Sequence, residues 1–124
     1  MPSILIHQLK PHPAQMRTQY DLDALAALTL QIHARGLDHW QPITATPNGS
    51  GYYIISGHRR QMAQLLAFAL RDWATEHPET EITVEVVWAM LATLVDSLGS
   101  LEQVVHSLLT RYGDEEISFA LFEG

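Results

Sequence analysis

Nine residues, Tyr52-Tyr53-Ile54-Ile55-Ser56-Gly57-His58-Arg59-Arg60, constrain this chain more than any others, because one glycine joins two different periodicities. Tyr52 to Ser56 are aromatic, β-branched or small and read as a short buried strand. Gly57 breaks it, and Met62, Leu65, Leu66, Ala69 and Trp73 then repeat at helical spacing. His58, Arg59 and Arg60 are thereby predicted in the first turn of a helix, at the C-terminal end of a strand. That is an unfavourable place for cations, since a helix N-terminus already presents backbone N–H groups and the positive end of the dipole. An anionic ligand between them relieves the conflict, because glycine allows close approach and arginine offers a rigid forked donor. The plainer alternative has both arginines facing solvent or pairing with acids elsewhere in the chain.

With 124 residues the chain holds one domain and one modest core. The absence of cysteine removes disulfides, thiolate nucleophiles and cysteine-ligated zinc together. Met1-Pro2-Ser3 carries no basic residue and Ile4-Leu5-Ile6 is too short for a leader's apolar region. The run from Val84 to Val95 is interrupted by Glu85 and falls short of a membrane span. A soluble, cytoplasmic protein without membrane partners is the expectation. Net charge is -7, unevenly placed: residues 1–70 hold five cations against three acids, net +2, and residues 71–124 hold two arginines against eleven acids, net -9. Extensive clamping of nucleic acid by the whole surface is therefore excluded, while a local basic site in the first half is not.

In order along the chain, Ile4 to Leu9 reads as a first strand ended by Pro11 and Pro13, followed by a polar loop to Tyr20 that carries Gln15 and Arg17. His7, His12, His33 and His39 show no metal-ligand spacing. Asp21 or Asp23 caps a helix to Arg35 whose Leu22, Leu25, Leu28, Thr29 and Ile32 form an apolar stripe stopped by Gly36. Gln41 to Thr46 is a strand, and Pro47-Asn48-Gly49-Ser50-Gly51 turns it into a hairpin with the Tyr52 strand. The two glycines of that turn suggest a phosphate loop only superficially, since the lysine and following helix are missing. After a helix ending before Pro78, Ile82 to Trp88 alternates as a strand and Met90 to Leu98 reads as a short helix or crossover. Ser100 and Gln103 form a capping box for a helix with Leu101, Val104, Val105, Leu108, Leu109 and Tyr112 on one face, closed by Gly113. Ile117 to Phe122 is a last short helix or a tail that docks by its aromatics, with Phe119 and Phe122 as a candidate dimer contact if exposed. No repeat and no convincing helix-turn-helix appears.

With Gln15, Arg17, Gln41-Pro42-Ile43 and Gly57-His58-Arg59-Arg60 in view, residues 4 to about 70 resemble the N-terminal domain of the ParB partition proteins, within the wider ParB and sulfiredoxin-like superfamily. His12-Pro13-Ala14-Gln15-Met16-Arg17 looks like the family's asparagine-proline, glutamine-proline-arginine loop, with His12 for the asparagine and Met16 for the second proline. Gly57, His58, Arg59 and Arg60 match its glycine-glutamate-arginine-arginine box, and Ala63 stands where that box has an alanine. The resemblance implies a single ParB/sulfiredoxin-like α/β domain, a small mixed sheet with four to five helices. Residues 1–88 would be the family domain and residues 89–124 a divergent helical extension packed on the same core.

It further implies binding of a nucleotide triphosphate such as CTP or ATP with magnesium, or of a nucleic-acid phosphate, in a protein of DNA partition or regulation. Gln15, Arg17, Gly57, His58, Arg59 and Arg60 are the implied phosphate-binding residues, and no metal ligand is implied with them. His58 stands in for the family's glutamate and is the one weak candidate for a catalytic acid or base, although two neighbouring arginines favour its neutral form. No glutamate-asparagine-x-x-arginine motif follows residue 88, so carboxylates for magnesium are missing unless Asp21 or Asp23 is recruited. Sulfiredoxin chemistry is excluded by the lack of any cysteine. A binding domain, a non-catalytic protein-interaction or regulatory domain, and a nuclease or CTP hydrolase stay open. The acidic last third is expected to make protein contacts, with a partner or a second copy.

Overall fold

The computed structural model describes residues 2–11, 21–36 and 42–122. The expected first strand is two: β1 (Ser3–Leu5) and β2 (Leu9–Pro11), separated by a single 3-10 turn at Ile6–Gln8. Partners far along the chain cause the break. Ile6 N–H donates to the Glu115 carbonyl at 2.9 Å and His7 N–H to the Gly113 carbonyl at 3.2 Å, pulling the backbone out of line while Ile6 fills the core.

Helix α1 (Leu22–Arg35) starts at Asp21, whose Oδ1 accepts from the N–H groups of Asp23 at 3.0 Å and Ala24 at 3.4 Å. It buries Leu25, Ala26, Thr29 and Ile32, and Thr29 satisfies its hydroxyl by donating to the Leu25 carbonyl at 2.8 Å. The expected hairpin forms with shifted bounds: β3 (Thr44–Asn48) starts after Ile43 and takes in Pro47 and Asn48, only Gly49 and Ser50 turn, and β4 (Gly51–Ser56) pairs antiparallel with it from Asn48↔Gly51 to Thr44↔Ser56. Pro47 is tolerated on β3 because the neighbour on its other side pairs only with Thr44 and Ala45.

Helix α2 (His58–Glu76) follows Gly57 directly and buries Met62, Ala63, Leu65, Leu66 and Leu70. Each fully buried aliphatic side chain of this kind contributes about 1.5–3 kcal/mol. The strand expected over Ile82 to Trp88 is instead the first part of helix α3 (Val84–Leu98). Thr83 caps it by accepting from Val86 N–H at 3.3 Å, and Glu85 lies in its first turn, so a proper helix start overrides the β-branched alternation. The helical stretch expected at Met90 to Leu98 is the continuation of α3, and position 88 lies inside this one helix.

Helix α4 (Leu101–Tyr112) begins at Ser100, whose hydroxyl accepts from Gln103 N–H at 3.2 Å, and is bent by 97° from α3. Among the described residues no single helix is long and apolar enough to cross a membrane. The tail is not a helix but a segment that docks through Phe119, and it does so as strands. It forms β5 (Glu116–Ser118), antiparallel to β1, and β6 (Ala120–Leu121), parallel to β3. Phe119, expected at a dimer contact together with Phe122, is 2% exposed with its ring 4.9 Å from that of Tyr52; Phe122 alone is exposed.

The main sheet thus runs β2-β4-β3-β6, with β1-β5 as a separate pair. Ile54, Leu65, Leu66, Leu91, Val104 and Phe119 meet in one core shared by sheet and helices. The result is the mixed α/β, ParB/sulfiredoxin-like fold that the sequence implied, with four α-helices among the described residues.

Candidate anion-binding site

Strand β2 runs parallel to β4, with Leu9↔Tyr52, Lys10↔Tyr53 and Pro11↔Ile54 in register. Pro11 therefore leaves the sheet at the same end as Ser56 and Gly57. In sheets of parallel neighbours this C-terminal end is where ligands collect, because crossing connections open a crevice there.

Gly57 has φ +103°, which a residue with a side chain rarely adopts. A Cβ at this position would lie 3.0 Å from Ile43 Cα and 3.4 Å from Arg60 Nη1. The glycine thus serves two purposes, turning strand into helix and letting the backbone lie against β3's lead-in. Gly57 supplies no side-chain cap, and the first intrahelical bond runs from Gln61 N–H to the Gly57 carbonyl at 3.0 Å. The N–H groups of His58, Arg59 and Arg60 precede that bond, at the positive end of a 19-residue helix.

The structure brings Gly57, His58, Arg59 and Arg60 together on this turn, as expected. Arg59 is exposed, Arg60 is half-buried with its guanidinium folded toward Gly57, and His58 is half-buried with Nε2 enclosed. No acid lies in the first turn of α2 itself. Gln15 and Arg17 lie outside the described residues, as does Gln41.

Sequence reasoning missed Gln61. It is 3% exposed, and its Nε2 donates to the Leu9 carbonyl at 2.8 Å, fastening the first turn of α2 to the start of β2. The signal was present: Gln61 stands four residues before Leu65, on the apolar face, where a polar side chain needs a partner. This bond fixes the distance between the arginine turn and the strand that ends at Pro11.

The donors of the turn, backbone N–H groups and two guanidinium groups, suit a phosphate, while the space over Gly57 Cα is taken by Ile43 and Arg60. The turn does not fit a metal ion equally well. Among the described residues no three His, Cys, Asp or Glu side chains converge, and the Asp21 carboxylate is engaged as the α1 cap.

Residues 2–71 match the ParB N-terminal domain. The chain belongs to this family. Two relatives are similar to part of the chain: the chromosome-partitioning protein Spo0J of Thermus thermophilus, 36% identical over 59 residues, and the probable chromosome-partitioning protein ParB of Coxiella burnetii, 42% identical over 64 residues. These alignments cover 48% and 52% of this chain but 21% of each relative, so the chain spans about a fifth of the length of the partitioning proteins it matches. The ParB match ends inside α2. Beyond it, β5 pairs with β1 and β6 with β3, β1 and β3 both lying inside the matched residues.

Proposed function

We propose that this ParB-family domain binds a nucleotide triphosphate through the Gly57 to Arg60 turn, in a process of DNA partition or regulation. The observation that carries the reading is the placement of two arginines and an uncapped, glycine-initiated helix start at the C-terminal end of parallel β2 and β4. Backbone N–H groups would hold a phosphate, Arg59 and Arg60 would take its remaining oxygens, and Arg17 would close from the other side. A compact anion is favoured over a DNA backbone because the whole chain carries -7 and its cations at this site are few, Arg59 and Arg60 with Arg17. Binding is proposed without turnover: hydrolysis would need a positioned water and carboxylates to hold magnesium, and among the described residues no three His, Cys, Asp or Glu side chains converge. The partitioning relatives support the association with DNA segregation, at the level of family.

Calorimetric titration with CTP, ATP and GTP, each with and without magnesium, tests this on the wild type and on Arg59→Ala/Arg60→Ala. Saturable heat with one nucleotide, lost in the double variant while its melting curve is retained, is the expected result. Absence of heat with every nucleotide for the folded wild type refutes the reading. Salt-sensitive binding of a short DNA duplex, abolished by the same two substitutions, would replace the nucleotide by nucleic-acid phosphate.

A further inference from the structure

Helix α3 carries more apolar surface than the core uses. Only Val87 and Leu91 are buried among its fifteen residues, whereas Val84 is 37% exposed and Trp88 43% exposed. At about 100° per residue, the exposed Val84 and Trp88 lie about 40° apart, beside the buried pair rather than on it, and half-buried Val95, in line with them, packs partly on the core. Glu85 and Asp96 follow at about 100–120° and are both exposed, so one flank of the stripe is acidic. Single exposed apolar residues need no explanation, but Val84 and Trp88 on successive turns of one face, with half-buried Val95 in line, form an apolar strip that the core leaves partly uncovered.

We propose that this face of α3 docks a basic amphipathic helix of another protein, with aliphatic anchors around Trp88 and lysine or arginine opposite Glu85 and Asp96. Charge selects the occupant. Residues 71–124 carry two arginines against eleven acids, so a second copy would bring Glu85 and Asp96 against their own like. An anionic bilayer is disfavoured for the same reason. Geometry selects its form. A helix surface offers no backbone partners, so the occupant must satisfy its own backbone, and a helix does. Trp88 is the anchor because a half-exposed indole gains most from desolvation at the centre of a contact. The inference does not rest on nucleotide binding.

The test is a titration of ¹⁵N-labelled protein with a 14-residue Leu/Lys peptide patterned as an amphipathic helix. A scrambled peptide of the same composition and a Leu/Glu counterpart are the controls. Saturable shifts centred on α3 are expected with the patterned basic peptide only, weakened roughly tenfold or more by Trp88→Ala with the circular dichroism unchanged. Glu85→Lys/Asp96→Lys should move the preference to the Leu/Glu peptide, whereas Asp114→Lys/Glu116→Lys, at exposed acids elsewhere, should leave it. Shifts centred away from α3, equal binding of the scrambled peptide, or an unmoved preference after reversal at Glu85 and Asp96 each overturn the proposal. A concentration-dependent dimer in sedimentation that Trp88→Ala dissolves would give the face to a second copy instead.

Discussion

Replacing Gly57 by alanine tests whether the strand-to-helix turn is held by backbone conformation alone or also by its contact with β3. Two separable costs are involved. At φ +103° any side chain costs about 1–2 kcal/mol. The new Cβ also meets Ile43 Cα at 3.0 Å and Ile43 Cγ1 at 3.3 Å, and crowding of this kind in a packed site costs about 1–3 kcal/mol. Gly99 is the natural control, since its φ is +100° and a Cβ there has nothing within 4 Å. Gly99→Ala should therefore show the conformational cost alone. With an unfolding entropy of about 2.1 cal/mol/K per residue over 124 residues, each kcal/mol corresponds to about 4 °C in Tm. Gly57→Ala should melt about 4–12 °C below Gly99→Ala, and urea unfolding should give the same order with an unchanged m value. Equal losses in the two variants would show that the approach to Ile43 contributes nothing, and would remove the steric reason for glycine at the site.

The other expectations concern the fastenings around that turn. Gln61→Leu keeps the volume but leaves the buried Leu9 carbonyl without its donor, so chemical denaturation should reveal a loss of about 1–3 kcal/mol. Phe119→Ala should cost about 3–5 kcal/mol while Phe122→Ala stays near wild type, a contrast that a dimer role for both rings would not produce. Burial, then the hydrogen bond to Asp72 at 2.5 Å, pushes the Tyr112 phenol from 10.0 up to about 12. The folded state thus favours neutral Tyr112, and its contribution is intact below pH 10 and lost between pH 10 and about 12. Asp72 is shifted the other way, chiefly by the same hydrogen bond, so its contribution is present above the ordinary aspartate range and lost on acidification. Thermal melts against pH should show both flanks in the wild type, and Tyr112→Phe should flatten the alkaline one; an unchanged alkaline flank would rule Tyr112 out as its source.

The legible parts of this fold are those whose cause is local. Asp21, Ser100 and the Gly57 break are each decided within four residues, and the structure places α1, α4 and α2 where those signals put them. The arginine turn was readable for the same reason. What escaped depends on distant partners: the 3-10 turn at Ile6–Gln8 exists because Gly113 and Glu115 accept from it, and β5 and β6, at three and two residues, have no periodicity to read. Gln61 lay between these cases, visible as a polar residue on an apolar face but without any clue that Leu9 was its partner.

The misreading of Ile82 to Trp88 has a further physical meaning. A helix with one buried stripe shows a 3.6-residue repeat and is hard to mistake for a strand. Segment Val84-Glu85-Val86-Val87-Trp88 shows near-alternation because it is apolar on more than its buried side: Val87 faces the core, and Val84 and Trp88 are exposed beside it. The extra apolar residues blurred the period, and the same residues form the stripe assigned to a partner helix. Replacing both Val84 and Trp88 by lysine should therefore restore a one-sided helical pattern with little cost in Tm, while abolishing docking of the basic peptide. A collapse of the fold in that variant would mean that the stripe is structural, and the docking assignment would fall with it.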